Sequence, residues 1–335
     1  MVRIAVLGIG RIGRMHAENI AAHPRATLAG VCDIHAPAAQ DAAKALNARQ
    51  FESVEDVLAS PDVDAVLIAT STATHADLIE QCVAAGKAIL CEKPIDLSLD
   101  RVNACAATIA GTSLPIMLGF VRRFDLGHAG VRKAVESGRI GELHQVIITS
   151  RDPRMAPDAY IESSGGIFRD MTIHDFDMAR FILGEEIAEL TATGSRLVDP
   201  ALMERCGDYD TISVMMKTAS GKQAIITNCR RAVYGSDQRV EAFGSEGMAI
   251  SENHTENNMR LYGKSHTNQA APLKDFFIER YGDAFAAEIT AFVDAVENGT
   301  EPDGGFEDGR QALMLAEAAN RSIKEGRTIR LSEVG

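Results

Sequence analysis

The chain has 335 residues, enough for two domains that each bury a core. Hydrophobic residues make up 46% and charged residues 24%, ordinary for a globular protein, and no apolar run approaches the roughly 20 residues a membrane helix needs. A formal charge of −13 repels a phosphate backbone, and no basic run overrides it locally, which excludes nucleic acid as a partner.

Met1-Val2-Arg3-Ile4 runs straight into a strand without a charged-then-apolar leader, and the six cysteines show no Cys-x-x-Cys spacing. A cytoplasmic protein without disulfides or a metal site is expected. Residues 2 to 7 form a mostly apolar strand that leads into Gly8-Ile9-Gly10-Arg11-Ile12-Gly13 and then a helical stretch, Arg14 to Ala22. Alone, the glycine spacing is a weak signal. Here it sits between strand and helix, and a second strand, Ala26 to Cys32, ends in Asp33, 20 residues after Gly13. That combination reads as a dinucleotide site: Gly8 for the tight turn, Gly10 for close approach to the pyrophosphate, Gly13 for helix-on-strand packing, and the helix N-terminus facing the phosphates. Asp33 can accept both ribose hydroxyls but repels a 2′-phosphate, so NAD is the expected cofactor. A protonated His35 would soften that repulsion and leaves room for residual NADP use.

Pro37 to Ala48 reads as a helix, and Ser53 as the cap of the next one. The strand Asp64 to Ala69 ends in a hydroxyl-rich turn, Thr70-Ser71-Thr72-Ala73-Thr74-His75. Thr70, Ser71, Thr74 and His75 are therefore cofactor candidates, although ordinary helix capping explains any one hydroxyl equally well. Ala88-Ile89-Leu90 reads as the end of another buried strand, followed by Cys91-Glu92-Lys93-Pro94. Glu92 and Lys93 thereby stand outside a strand's carboxyl end, where open α/β sheets bind ligands, and Pro94 stiffens the turn. Taken by themselves, these four residues suit a solvated surface turn just as well. A helix capped by Ser98 and a strand from Pro115 to Gly119 follow. Repeated β-α-β with short connections predicts a doubly wound parallel sheet over residues 1–120.

Residues 121–335 are expected to form a second, α+β domain. Phe120 to Asp125 enters a helix ending near Gly138, and Leu143 to Ser150 is a strand. In the segment Gly165 to Asp177, one helix would carry Asp170 and His174 four residues apart on one face. A carboxylate so placed could orient an imidazole acting as a base near neutral pH. The spacing alone equally describes a helix-surface ion pair, and a metal would need more ligands than Asp177 adds. From about 186 to 263, β-rich segments alternate with turn residues, which predicts an antiparallel sheet. A helix from Asp283 to Asn298 carries Phe285, Ile289, Phe292, Val293 and Val296 on one face, and a last helix covers about 308 to 325.

The Gly-x-Gly-x-x-Gly unit, the Asp after the second strand, Glu92-Lys93-Pro94 and the Asp-x-x-x-His pair together resemble the glucose-fructose oxidoreductase, inositol dehydrogenase and rhizopine-catabolism family. The likeness is greatest to its inositol-oxidising members. It runs through Gly119–Asp125, Ser150–Pro153, Gly165–Asp177 and Arg230–Gly235, essentially the whole chain. The resemblance implies a Rossmann domain followed by an α+β domain with a large, open, mostly antiparallel sheet. It implies NAD-dependent oxidation of myo-inositol to 2-inosose, with Lys93, Asp170 and His174 catalytic, and with Arg122, Asp152 and Tyr234 contacting the polyol. It also implies a homotetramer, because family members commonly bury the open sheet against another subunit. The sequence departs from the pattern at Val121 and in the segment Arg154-Met155-Ala156-Pro157; both positions bear on which polyol is chosen. A related sugar or scyllo-inositol dehydrogenase and a non-catalytic NAD-dependent sensor are the competing readings.

Overall fold

Six strands, β1 (Val2–Leu7), β2 (Ala26–Cys32), β3 (Arg49–Gln50), β4 (Ala65–Ile68), β5 (Ala88–Cys91) and β6 (Ile116–Leu118), form a parallel sheet in the order β3-β2-β1-β4-β5-β6. The order reverses at β1, as in a doubly wound fold. This computed structural model describes residues 1–334 and falls into two units, residues 1–124 with 283–313, and residues 125–282 with 314–334. In the first unit the strand register aligns Cys32 with Leu7, Leu7 with Ile68, Ile68 with Cys91 and Cys91 with Leu118. The residues that follow these positions, Asp33, Gly8, Ala69, Glu92 and Gly119, therefore stand side by side along one edge of the sheet.

Runs such as Ala65–Ile68 and Ala88–Cys91 are buried at every position, as parallel strands covered on both faces must be. The helix Arg11–Ala22 packs Ala17 and Ile20 into a core with Ile4, Val6, Leu28, Leu67 and Leu90. Ile289, Phe292 and Val293 complete that core. Their helix, Gly282–Asn298, is the amphipathic helix read from the sequence, and it covers the first unit although the chain reaches it last. The N-terminal helix begins at Arg11 rather than Arg14, so Gly13 lies inside its first turn. The two-residue strand β3 is too short to leave a periodic signal.

The second unit is built on a seven-stranded sheet of β7 (Leu143–Arg151), β8 (Ile187–Ser195), β9 (Thr211–Thr218), β10 (Gln223–Cys229), β11 (Asp237–Gly244), β12 (Gly247–Ser251) and, near the C-terminus, Ile329–Arg330. Only β7 and β10 pair in parallel; every other pairing is antiparallel. Alternate residues, among them Val146, Ile148, Val214, Met216, Ala224 and Ile226, are buried on one face, against the helices Leu126–Glu136 and Ile173–Leu183. The opposite face is open, and register places Ile250, Glu241, Ile147, Ile225, Met215 and Thr191 in one row across it. A separate two-stranded ribbon, Arg260–Gly263 with His266–Ala270, is exposed at every position.

One element differs from its sequence reading. The single helix expected across Gly165 to Asp177 is two helices, Ile167–Asp170 and Ile173–Leu183. Between them the Thr172 N–H reaches back to the Ile167 carbonyl, 2.9 Å away, a wider turn than an α-helix makes. Thr172 is pulled aside because its hydroxyl donates to Asn228 Oδ1 on β10 at 2.6 Å. No helix among the described residues is long and apolar enough to cross a membrane. The six cysteines are free thiols.

Candidate active site

The row at the end of the first sheet carries the dinucleotide candidates. Gly8 turns the chain with φ +87°, and a Cβ there would lie 2.5 Å from the Ala69 carbonyl oxygen, so no larger residue makes this turn. A Cβ on Gly13 would collide with the Gly8 carbonyl, which sets how closely the helix approaches the strand end. Gly10 is the N-cap of the 12-residue helix; no side chain caps it, and nothing lies within 4 Å of where its Cβ would be. An uncapped helix N-terminus under clear space fits a pyrophosphate. Ile9 is buried and contributes its N–H, Arg11 is exposed, and Ile12 is half-buried at the rim.

Asp33 accepts hydrogen bonds from the Ile9 N–H at 2.5 Å and the His35 N–H at 2.7 Å. Its carboxylate is thereby fixed beside the glycine turn with lone pairs to spare for a diol. Thr74 Oγ1 donates to the Ser71 carbonyl at 2.8 Å, so at the 2.7 Å contact with Thr70 the Thr70 hydroxyl is the donor. Ser71 stays exposed. His75 is buried, with Nδ1 2.8 Å from the Pro94 carbonyl and Nε2 3.1 Å from the Thr70 carbonyl. Both ring nitrogens are spent on the backbone, so His75 clamps the Thr70 turn to the Pro94 turn rather than offering a polar atom to a ligand. Glu92 Oε1 lies 2.8 Å from His16 Nε2. Burial opposes the Glu92 charge, but the His16 hydrogen bond and the charges of His16, Lys93 and His75 outweigh it and hold the carboxyl below its ordinary value. Lys93 is half-buried and precedes a cis proline. Arg122 is buried in the short turn Val121–Phe124.

In the second unit His174 sits in the first turn of the helix Ile173–Leu183. The start of this helix is anchored to the sheet: Asn228 bonds Thr172, and its amide donates to Asp175 at 2.9 Å and to the Ser150 carbonyl at 3.3 Å. Asp170, at the end of the preceding helix, accepts from the Tyr160 hydroxyl at 2.7 Å and from Arg230 Nη1 at 3.1 Å. The other arm of Arg230 reaches Asp208 at 3.1 Å. Burial works against the Arg230 charge, but these two carboxylates outweigh it and raise its pKa. Burial of the Tyr160 hydroxyl end, followed by the charge of Asp170 and its hydrogen bond, pushes the phenol up, and Asp152 adds to the effect. Asp152 and Asp170 thus act on one hydroxyl. Tyr234 is tied elsewhere: its hydroxyl donates to Asp237 at 2.7 Å and accepts from Arg151 at 2.8 Å.

Four residues of these two halves were not singled out from the sequence: His16, Tyr160, Asp208 and Arg230. For His16 a signal existed, since it lies on the buried helix face with Gly13, Ala17 and Ile20, where a polar side chain needs a partner. For Arg230 none did, because its two carboxylates are distant in sequence.

Residues 2–120 match the oxidoreductase family with an NAD-binding Rossmann fold, and residues 128–250 match the GFO/IDH/MocA C-terminal domain. The inositol 2-dehydrogenase of Rhizobium meliloti (strain 1021) is 50% identical over 332 residues, covering 99% of each chain. The crystal structure of a myo-inositol dehydrogenase from Corynebacterium glutamicum superposes with a TM-score of 0.95 at 44% identity, covering 99% of each chain. A myo-inositol dehydrogenase from Lactobacillus casei, solved in complex with NAD(H) and myo-inositol, gives 0.87 at 25% identity, covering 98% of this chain and 96% of that one.

Proposed function

The chain belongs to the GFO/IDH/MocA oxidoreductase family, and on that premise we propose that it is an NAD-dependent inositol 2-dehydrogenase oxidising myo-inositol to 2-inosose. The observation that carries this is full-length identity of 50% to an inositol 2-dehydrogenase. The uncapped helix start under Gly10 and the pre-oriented Asp33 supply a cradle suited to NAD. Bound NAD supplies the hydride acceptor, nicotinamide C4. In this reading residues 1–120 hold the coenzyme, and residues 121–335 supply the polyol pocket and the subunit contacts. His174 accepts the proton of the reacting hydroxyl, and Lys93 hydrogen-bonds the same oxygen as charge develops on it. Asp170, held by Arg230 and Tyr160, supports the imidazolium, while Arg122 and Asp152 receive the remaining hydroxyls and Tyr234, already bonded to Asp237 and Arg151, accepts one through its remaining lone pair.

The working compartment is the cytoplasm, where NAD is supplied and free thiols stay reduced. The working assembly is a homotetramer, for which the apolar open face of the second sheet is the support. A spectrophotometric panel of inositol isomers and aldoses with NAD and NADP tests the activity. Reduction of NAD by myo-inositol is expected, with kcat/KM at least about tenfold above that with NADP. No reduction with any polyol would overturn the activity, and equal efficiency with both coenzymes would overturn the role given to Asp33.

A further inference from the structure

Glu288 has no place in the chemistry above, yet it is the most confined carboxyl of the first unit. It lies on the helix Gly282–Asn298 with 0% exposure. Neither of its oxygens has a hydrogen-bond partner. One turn earlier on the same face, Phe285 meets the His16 ring edge-on at 5.5 Å. His16 is 1% exposed and directs Nε2 to Glu92 at 2.8 Å, while its Nδ1 is buried without a partner. The second oxygen of Glu92 lies against Gly119, where a Cβ would come within 2.9 Å of it. Two carboxyls and an imidazole are thus packed between the coenzyme helix, the end of β5 and the helix Gly282–Asn298. Glu92, with 17% of its side chain exposed, is their contact with the outside.

Such a cluster cannot hold every group in its charged form. Burial, together with the charge of Glu92, holds the Glu288 carboxyl well above its ordinary value and so favours its neutral acid form. The charged or titratable groups that act on the cluster are His16 from the coenzyme helix, Lys93 beside Glu92, and His75 acting on Glu92. The remaining acids of Glu288's own helix, Asp283, Asp294 and Glu297, lie off its buried face. The protonation of Glu288 therefore depends on the charge held at the edge of the sheet where Glu92 follows β5.

We propose that the His16–Glu92–Glu288 cluster is a proton-linked sensor of coenzyme charge, which loses a proton when oxidised NAD binds and keeps it when reduced NAD binds. The proposal rests on the NAD-binding reading of the first unit. The cationic nicotinamide of oxidised NAD favours a second negative charge nearby. The O–H bond of Glu288 then breaks, the electron pair stays on the carboxylate, and the proton passes to solvent. Hydride transfer neutralises the nicotinamide, and the cluster takes a proton back.

Calorimetric titration of NAD and of NADH into the full chain at about pH 7.5, in phosphate and in Tris, counts the protons, because the two buffers differ in ionisation heat. NAD binding should release roughly a third of a proton to one proton, and NADH binding none. Glu288→Gln, which keeps the shape and cannot ionise, should bind NAD with heats that no longer depend on the buffer. Buffer-independent heats for wild-type NAD binding, equal release with NADH, or full release retained in Glu288→Gln would overturn the proposal. The variant arm also separates this cluster from His174 as the source of the proton. Should Glu288→Gln not fold, the same NAD titration of His174→Ala decides: release that persists without the imidazole supports the cluster as its source, and release lost with it overturns the proposal. Absence of any NAD binding would instead overturn the coenzyme reading, and the proposal with it.

Discussion

With His174 as the proposed base, oxidation needs a neutral imidazole, so turnover should fall at low pH as the ring becomes protonated. His174→Ala should lower kcat by roughly 10²–10⁴, the usual contribution of a positioned base. Lys93→Arg should recover little of the loss in Lys93→Ala, because a planar fork does not reproduce a compact point charge. In the proposed mechanism Asp170→Asn removes the charge that supports the imidazolium while keeping its shape, and groups that act as a unit are not additive. The double variant His174→Ala with Asp170→Asn should therefore cost much less than the product of the single losses, and full multiplicativity in steady-state kinetics would separate the two residues. Glu288 makes a prediction about stability. Its folded pKa is raised, so above the ordinary carboxyl value the unfolded chain gives up a proton that the folded chain retains. The contribution of Glu288 to stability is then fully present below the ordinary carboxyl value and drains away as pH climbs toward the folded pKa. Glu288→Gln removes that loss, so its Tm should exceed the wild type's by a margin that grows as pH rises above the ordinary carboxyl range. A margin independent of pH would show Glu288 to be ionised in the folded protein.

At the scale of elements, the sequence was most legible where one period repeats. The strands Val2–Leu7 and Ala26–Cys32 have the boundaries their apolar runs indicate, and the stripe from Phe285 to Val296 marks a helix. Glu288 was not singled out, although it stands on the stripe itself, three residues past Phe285 and four before Phe292. What did not show was anything decided by contacts distant along the chain. The helix break at Met171–Thr172 depends on Asn228, more than fifty residues away, and no local propensity announces it. Arg230 is the strongest case: standing just after β10, it joins the end of the helix Ile167–Asp170 to Asp208, which in turn accepts from the Ile167 N–H at 3.0 Å. Removing the guanidinium leaves two poorly solvated carboxylates facing each other. Arg230→Met should cost about 3–5 kcal/mol of stability in chemical denaturation, the usual penalty for breaking a buried pair. It should also lower kcat, because Asp170 loses the hold of the Arg230 guanidinium. A variant with native stability would show that the bridge carries no weight in the fold.

At the scale of the whole molecule, the open face of the second sheet bears on the proposed assembly. Ile147 and Ile225 are neighbours in register, Ile225 faces Met215, and Phe243 faces Met248, so the apolar side chains form one surface rather than scattered points. Met215 is 62% exposed, Met248 53%, Phe243 49% and Ile250 43% in the single chain. Fully covering a side chain of this size stabilises by about 1.5–3 kcal/mol, and several covered together can offset the entropy lost when subunits associate. A net charge of −13 opposes association, but Glu241 is the only acidic residue in the central row from Ile250 to Thr191. A second copy is the occupant such a face suits, and the expected assembly is a tetramer. Light scattering at micromolar concentration should give the mass of four chains. Met215→Glu combined with Ile225→Glu places two adjacent charges where the partner surface must be dry, and burying unpaired carboxylates costs several kcal/mol. The double variant should dissociate into smaller species while each subunit stays folded by circular dichroism. A monomeric wild type, or a variant that remains tetrameric, would mean that the sheet face is not where the subunits meet.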